Sequence, residues 1–231
     1  MKTFSGSGRN LVAVIALAAV FAGWLLSLGS TSAASAEPTT VSGYDIDTAS
    51  SLTVVVNKTR PLTPVTYAPA KFGAYNLAKP ASDALSKMRK AMSKAGSGNL
   101  LLSSGYRGYY SQKAIYRKDV ANLGLSRGQK LAAKPGYSEH QTGLAADLAA
   151  AGQGCAIRIC FEKTKAGIWL AANSWRFGFI LRYPRGATAV TGYQFEPWHF
   201  RFVGVQLAGE MHDAGAKVLE TFLGLPAAPT Y

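Results

Sequence analysis

The tract Leu144-Ala-Ala-Asp147-Leu-Ala-Ala150 carries one carboxylate in an otherwise apolar run. Such a run reads as a strand, and an ionised carboxylate cannot be buried there alone, because removing a lone charge from water is too costly. Either the strand lies at a sheet edge with Asp147 in water, or the fold brings a cation to it. A metal would serve. The whole chain has only 3 histidines. His140 precedes the aspartate in Ser138-Glu-His-Gln-Thr-Gly143, and His199 closes Glu196-Pro-Trp-His199. Zinc hydrolases take three nitrogen or oxygen ligands and leave a fourth position to water. His140, Asp147 and His199 would supply such a set, with Glu196 within reach of the water. Pro197 forbids a regular helix at Glu196, so this is not the helical His-Glu-x-x-His arrangement. Taken singly, Glu196 reads as a surface acid and His199 as a ring packed among Trp198, Phe200 and Phe202. His212, beside Asp213 and without other ligand partners, reads as a helix-surface residue.

The amino-terminal segment bears on the compartment. Lys2 and Arg9 are the only charges before Glu37, an apolar run covers residues 11–28, and Ala34-Ser-Ala36 offers a small-x-small cleavage site. A basic, then apolar, then small-residue order reads as a secretory signal over 1–36. The run is also long enough to span a bilayer, so an uncleaved anchor through 11–28 is the alternative. Either reading places the remainder outside the cytoplasm, secreted or anchored and facing the cell wall. Lys and Arg number 25 against 12 Asp and Glu, a formal net charge of +13. That surface favours anionic partners. Export turns the expectation from nucleic acid to anionic polymers of the cell envelope. Two cysteines, Cys155 and Cys160, enclose a short Gly-flanked loop. In an oxidising compartment they read as a local disulfide, and the spacing is not the Cys-x-x-Cys of thioredoxin-type chemistry.

Residues 37–51 are rich in Thr and Ser and read as a linker. Strands are expected at 52–56, 100–103, 143–149 and 179–183, with an extended aromatic segment at 190–202. Helices are expected at 82–95, 109–122, 166–174 and 205–214. Over 82–95, Leu85, Met88, Met92 and Ala95 share one face. The elements lack a regular βαβ rhythm. They predict one α+β domain over 52–225, a largely antiparallel sheet flanked by helices, with 226–231 as a tail.

Three motifs follow in order: Ser104-Gly-Tyr-Arg107, Ser138-x-His140-x-x-Gly143-x-Ala145-x-Asp147, and Glu196-Pro-Trp-His199. Together with Val54-Val-Val-Asn-Lys58, Gly178-Phe-Ile-Leu-Arg-Tyr-Pro184 and Thr191-Gly-Tyr193, they resemble the VanY-type D-alanyl-D-alanine carboxypeptidases of the LAS zinc peptidases. The likeness runs over residues 52–224. It implies a small α+β domain with a central antiparallel sheet. It also implies one zinc ion on His140, Asp147 and His199, and Glu196 as catalytic acid/base. Arg107 would hold the substrate, with Gln112 and Ser138 near the site. Gly108-Tyr109-Tyr110 departs from the Ser that more often follows the arginine.

The chemistry is consistent with this. Arg107 offers a planar fork that can pair a terminal carboxylate bidentately. Tyr109, Tyr110 and Tyr137 flank the motifs and are candidates to line the cleft. The expected substrates are peptidoglycan stem peptides ending in D-Ala-D-Ala, and a monomer is expected. A D,D-dipeptidase or a peptidoglycan endopeptidase of the same superfamily would share the zinc set. A non-catalytic, zinc-stabilised wall-binding module would not need Glu196. A nucleic-acid binder lacks support, since no Lys/Arg stripe is clustered in the sequence.

Overall fold

The computed structural model describes residues 43–231; the signal or anchor reading of 1–36 lies outside them. Among these residues one antiparallel sheet carries four strands: β1 (Leu100–Ser104), β2 (Ala145–Ala150), β3 (Phe179–Leu181) and β4 (His199–Phe202). Their spatial order is β1-β2-β4-β3. The strand bearing Asp147 is therefore central and buried along its length, not at an edge. Helices α1 (Lys79–Lys94), α2 (Tyr109–Leu123), α3 (Leu125–Leu131), α4 (Lys165–Asn173), α5 (Thr188–Thr191), α6 (Val205–Asp213) and α7 (Leu219–Phe222) complete the α+β domain.

The period-2 alternation of the strands divides the sheet into two faces. Ala146, Leu148 and Ala150 of β2, with Phe200 and Phe202 of β4, join the apolar stripe Ala81, Leu85, Met88 and Met92 of α1 and Leu170 of α4 in the main core. The opposite face carries Ala145, Asp147 and Ala149 of β2, with His199 and Arg201 of β4. Antiparallel register sets Asp147 directly across from His199, and Ala145 across from Arg201. Directly opposed residues project from the same face. The register thus brings together two site residues far apart in sequence.

That second face is buried as well, and its charges are matched internally. Glu139 Oε1 accepts from Arg182 Nε at 2.8 Å and from Arg201 Nη1 at 3.0 Å. Arg182 grips Glu220 of α7 with both terminal nitrogens, at 2.9 and 2.6 Å, and Asn57 Nδ2 donates to the same carboxylate. Arg182, Arg201 and Glu220 are fully or almost fully buried.

Several expectations are revised. Residues 52–56, of which Val54, Val55 and Val56 are buried, do not join the sheet. Their carbonyls at Leu52 and Val54 accept from Arg201 Nη2 at 3.2 and 2.7 Å, not from a strand. Only His199–Phe202 of the expected 190–202 segment is strand; α5 and a tight turn at Glu196, where His199 N donates to Glu196 O at 3.1 Å, precede it. Helix α3 and a 3-10 turn at Glu139–Thr142 were not anticipated, since each is too short for apolar periodicity to show. Part of the expected linker packs on the domain: Ala49 is buried and Val55 N donates to Ile46 O. The tail packs too, with Ala228 fully buried and its N–H on Val190 O. Lys58 holds it by donating to Gly192 O and Pro229 O at 2.6 and 3.2 Å, and burial pulls this ammonium down to about 8.

Removing one partner of a buried ion pair leaves an uncompensated charge. Arg182→Met should therefore lower the unfolding free energy by about 3–5 kcal/mol in denaturant titration. Glu220→Met added to it should restore part of that loss, because both buried charges are then gone.

Candidate active site

The 3-10 turn Glu139–Thr142 aims two consecutive side chains at the sheet. Gln141 fixes the turn by accepting from Gly136 N and donating to Val65 O and Tyr67 O. Thr142 Oγ1 donates back to Glu139 O at 2.6 Å and accepts from Leu144 N. Gly143 ends the turn at φ +70°, where a Cβ would stand 2.9 Å from Ala78 N and from Pro69 Cγ. Only glycine satisfies both the left-handed backbone and that close approach.

His140 Nδ1 lies 2.8 Å from Gly105 O. A carbonyl can only accept, so Nδ1 carries the proton and Nε2 presents a lone pair. Burial lowers the ring's pKa, against the pull of Asp147, which keeps it neutral. Nε2 nonetheless faces Asp147 Oδ2 at 3.3 Å. Two acceptors at that distance call for a cation between them.

His199 is turned the other way. Its Nε2 lies 3.3 Å from Glu139 Oε2, and its Nδ1 lies 3.1 Å from Asp147 Oδ1. Burial would raise the Glu139 carboxyl, but Arg182 and Arg201 hold it well below the usual carboxylate range. It accepts from Nε2–H, so Nδ1 is the nitrogen a metal would take on displacing its proton. Burial would lower His199, yet hydrogen bonds to Asp147 and Glu139 outweigh that and push it up to about 9. The Asp147 carboxylate is likewise held low by both histidines against its own burial.

One ligand atom from each of His140, Asp147 and His199 lies within 4.8 Å of the other two. Neighbouring ligands of a tetrahedral zinc with bonds of about 2.0–2.2 Å stand roughly 3.4 Å apart. His140 Nε2 stands 3.3 Å from Asp147 Oδ2 and His199 Nδ1 3.1 Å from Oδ1, both close to that value. The donor set therefore suits one divalent metal, through His140 Nε2, Asp147 and His199 Nδ1. A histidine ligand whose second nitrogen is held by a carboxylate or carbonyl is the usual supporting arrangement. Glu139 and Gly105 O provide it here.

Glu196 is buried, with Oε2 3.8 Å from His199 Nδ1. Burial pushes its carboxyl up to about 8, with Asp147 adding to the rise and His199 opposing it. It borders a cavity of about 260 Å³ that also contains Arg107, Gln112, Ser138 and the three metal-set residues. Arg107 leaves β1, donates its backbone N–H to His140 O at 3.1 Å, and has its buried Nε without a hydrogen-bond partner. Burial draws its guanidinium pKa down, against Asp147, Glu196 and Asp119. Gln112 Nε2 donates to Ala133 O at 2.8 Å while its Oε1 is buried without a partner. Unpartnered polar atoms in a cleft are groups that a ligand can satisfy.

All seven expected site residues thus meet in one place. The expected disulfide Cys155–Cys160 is formed. The cavity tyrosines are Tyr183 and Tyr193; the expected Tyr109, Tyr110 and Tyr137 do not line it, the first two meeting edge to face at the start of α2 and Tyr137 packing on Tyr231. His212 is exposed, as expected, and stacks on Trp175 at 3.9 Å. The sequence reading missed Glu139, Arg182 and Arg201. The signal present for Arg201 was alternation: in His199-Phe-Arg201-Phe the arginine shares a face with the histidine.

Comparison with known proteins agrees with this geometry. A family model described as "VanY: D-alanyl-D-alanine carboxypeptidase" matches residues 74–205. A protein named putative carboxypeptidase YodJ from Bacillus subtilis is 40% identical over 144 residues, 62% of this chain and 52% of that protein. A D-alanyl-D-alanine carboxypeptidase of Enterococcus faecium is 33% identical, over 64% of this chain and 44% of that protein. The chain spans about half the length of these curated relatives. Among solved structures, the LdcB LD-carboxypeptidase superposes with TM-score 0.68 at 34% identity, covering 75% of this chain and 86% of that one. A variant of the vancomycin resistance D,D-pentapeptidase VanY in complex with Zn(II) gives 0.63 at 32%, covering 75% and 98%. VanYB in complex with D-alanine-D-alanine gives 0.64 at 33%, covering 75% and 97%.

Loss of an outer-shell carboxylate typically weakens metal binding about 10–100-fold. Glu139→Gln should do so in chelator competition; it should also lower the unfolding midpoint, because Arg182 and Arg201 lose their shared anion, so affinity is compared at a temperature where both proteins are folded. Zinc affinity of the unaltered protein should fall as pH is lowered, because a proton competes for His199 Nδ1.

Proposed function

Because the chain belongs to the VanY family of D-alanyl-D-alanine carboxypeptidases, we propose that it is a zinc-dependent D,D-carboxypeptidase. Its substrates are peptidoglycan stem peptides, from which it removes the terminal D-alanine outside the cytoplasm. One observation carries this reading. A carboxylate-pairing group, Arg107, and a buried carboxyl, Glu196, share one cavity with the His140, Asp147 and His199 set. The Cys155–Cys160 bridge supports an oxidising compartment.

Zinc held by those three residues supplies the Lewis acidity that polarises a scissile carbonyl and makes water a nucleophile near neutral pH. The chain's own residues do the rest. Arg107 receives the terminal carboxylate of the peptide on its guanidinium and orients the last residue. Glu196, unligated and raised toward neutrality by burial, takes the proton from the attacking water and returns it to the departing amine nitrogen. Glu139 keeps the His199 ring in the tautomer that leaves Nδ1 available. The buried walls keep bulk water from screening these charges.

A wall-binding module would need neither Glu196 nor the unpartnered Arg107 Nε. Mass spectrometry of pentapeptide digests, with and without a chelator, tests the reading. Tetrapeptide plus D-alanine, lost on chelation, is the expected result. Release of a D-Ala-D-Ala dipeptide would instead make it a dipeptidase, and an unchanged peptide would make it a binding module.

Glu196→Ala should keep its zinc and lose kcat by about 10²–10⁴, the range for a positioned acid/base. Arg107→Lys keeps the charge but loses the fork. Its loss in kcat/KM should be large on free-acid peptides and small on amidated ones, whose terminus carries no negative charge.

A further inference from the structure

The loop after β2 contains an apolar side chain that the functional reading leaves unused. Ile157 borders the catalytic cavity, where it joins Ile115 and Leu131 as apolar lining. It is 44% exposed and belongs to none of the apolar clusters among the described residues. Its backbone sits at φ +52°, and that of Cys155 at φ +59°. A β-branched residue in the left-handed region is a genuine outlier, because its Cβ crowds the backbone. Such a conformation persists only where the surroundings enforce it.

The surroundings here are covalent and polar. The Cys155–Cys160 bridge closes the loop on both sides of Ile157. Arg158 N donates to Cys155 O at 3.2 Å within it. Gln153 ties the loop base down by donating to Ser97 O at 2.8 Å and accepting from Ala166 N at 3.0 Å. The result is an isoleucine held in an unfavourable conformation, outside the buried core, at the edge of the cleft that contains Arg107 and Glu196.

We propose that Ile157 is a specificity contact for the substrate: it packs against the small aliphatic side chain of a residue beside the scissile bond, placed there by the disulfide-closed loop. This rests on the peptidase reading above. An apolar wall of this kind discriminates a methyl from a hydrogen, a difference worth about tenfold or more in catalytic efficiency.

The test uses Ile157→Asn, since asparagine accepts the left-handed backbone but offers no apolar surface. Steady-state kinetics would be compared on a pentapeptide ending in D-Ala-D-Ala and on two analogues with glycine replacing either alanine. The expected result is a rise of about tenfold in KM on the alanine peptide, with kcat and zinc content unchanged. The preference for alanine over glycine at one of the two positions should shrink by the same factor. The thermal midpoint should not fall, which separates substrate contact from a structural role. Equal losses on all three peptides, no loss at all, or a loss tracking a lower midpoint would overturn the inference. Cys155→Ala/Cys160→Ala should reproduce the reduced discrimination; full discrimination in that variant would overturn the placement by the disulfide. If the unaltered protein releases no D-alanine from any peptide, the peptidase reading falls and this inference with it. Results with an active protein bear on Ile157 alone.

Discussion

Glu139 meets three charged or polarised neighbours on two oxygens. Arg182 and Arg201 share Oε1, and the His199 ring lies at Oε2. All four groups are buried, so each would be costly without the others. The fold is organised around this requirement. Arg201 stands on the same face of β4 as His199, Arg182 leaves the end of β3, and the 3-10 turn lays Glu139 over that face. Arg182 then reaches Glu220 on α7, which ties the carboxy-terminal part of the chain to the same network. Stability and metal-site geometry therefore rest on one carboxylate.

The site also separates two neighbouring carboxyls by environment alone. Glu139 has two guanidiniums within hydrogen-bond reach and stays ionised at any ordinary pH. Glu196 has no guanidinium that close; burial and the nearby Asp147 charge push it up to about 8. A low carboxyl can hold a histidine in place, and a raised one can accept and return a proton. Groups whose environments push their titrations apart mark a division of acid/base labour. The two residues belong to adjacent motifs in space, and the arginines account for the contrast between them.

Rigidity around the cleft has several independent sources. The turn holding His140 is nailed by Gln141 and Thr142, the tail is fastened by Lys58, and the loop holding Ile157 is closed by a disulfide. Little of this comes from long regular elements. It comes from side chains bonding to backbone carbonyls and amides in segments too irregular to satisfy themselves.

The sequence by itself determined the α+β class, the helix at α1 and three residues that could hold a metal, which the fold brings together. Leu85, Met88 and Met92 repeat at helical spacing, and Asp147 is conspicuous as a charge in an apolar strand. Three short motifs carry residue types that only a few chemistries use. Tertiary structure alone decided what surrounds them. No local pattern shows that Glu139 faces His199, because the contact depends on a 3-10 turn packing against β4 across a long interval of chain. No period reveals that the carbonyls of Leu52 and Val54 accept from Arg201 rather than from a neighbouring strand. Nothing local marks Ile157, and only the closed loop sets it at the cleft. Local propensity acts over a few residues, whereas the pairing of buried charges acts between elements, so the longer elements were legible, and the short turns and the electrostatic partners were not.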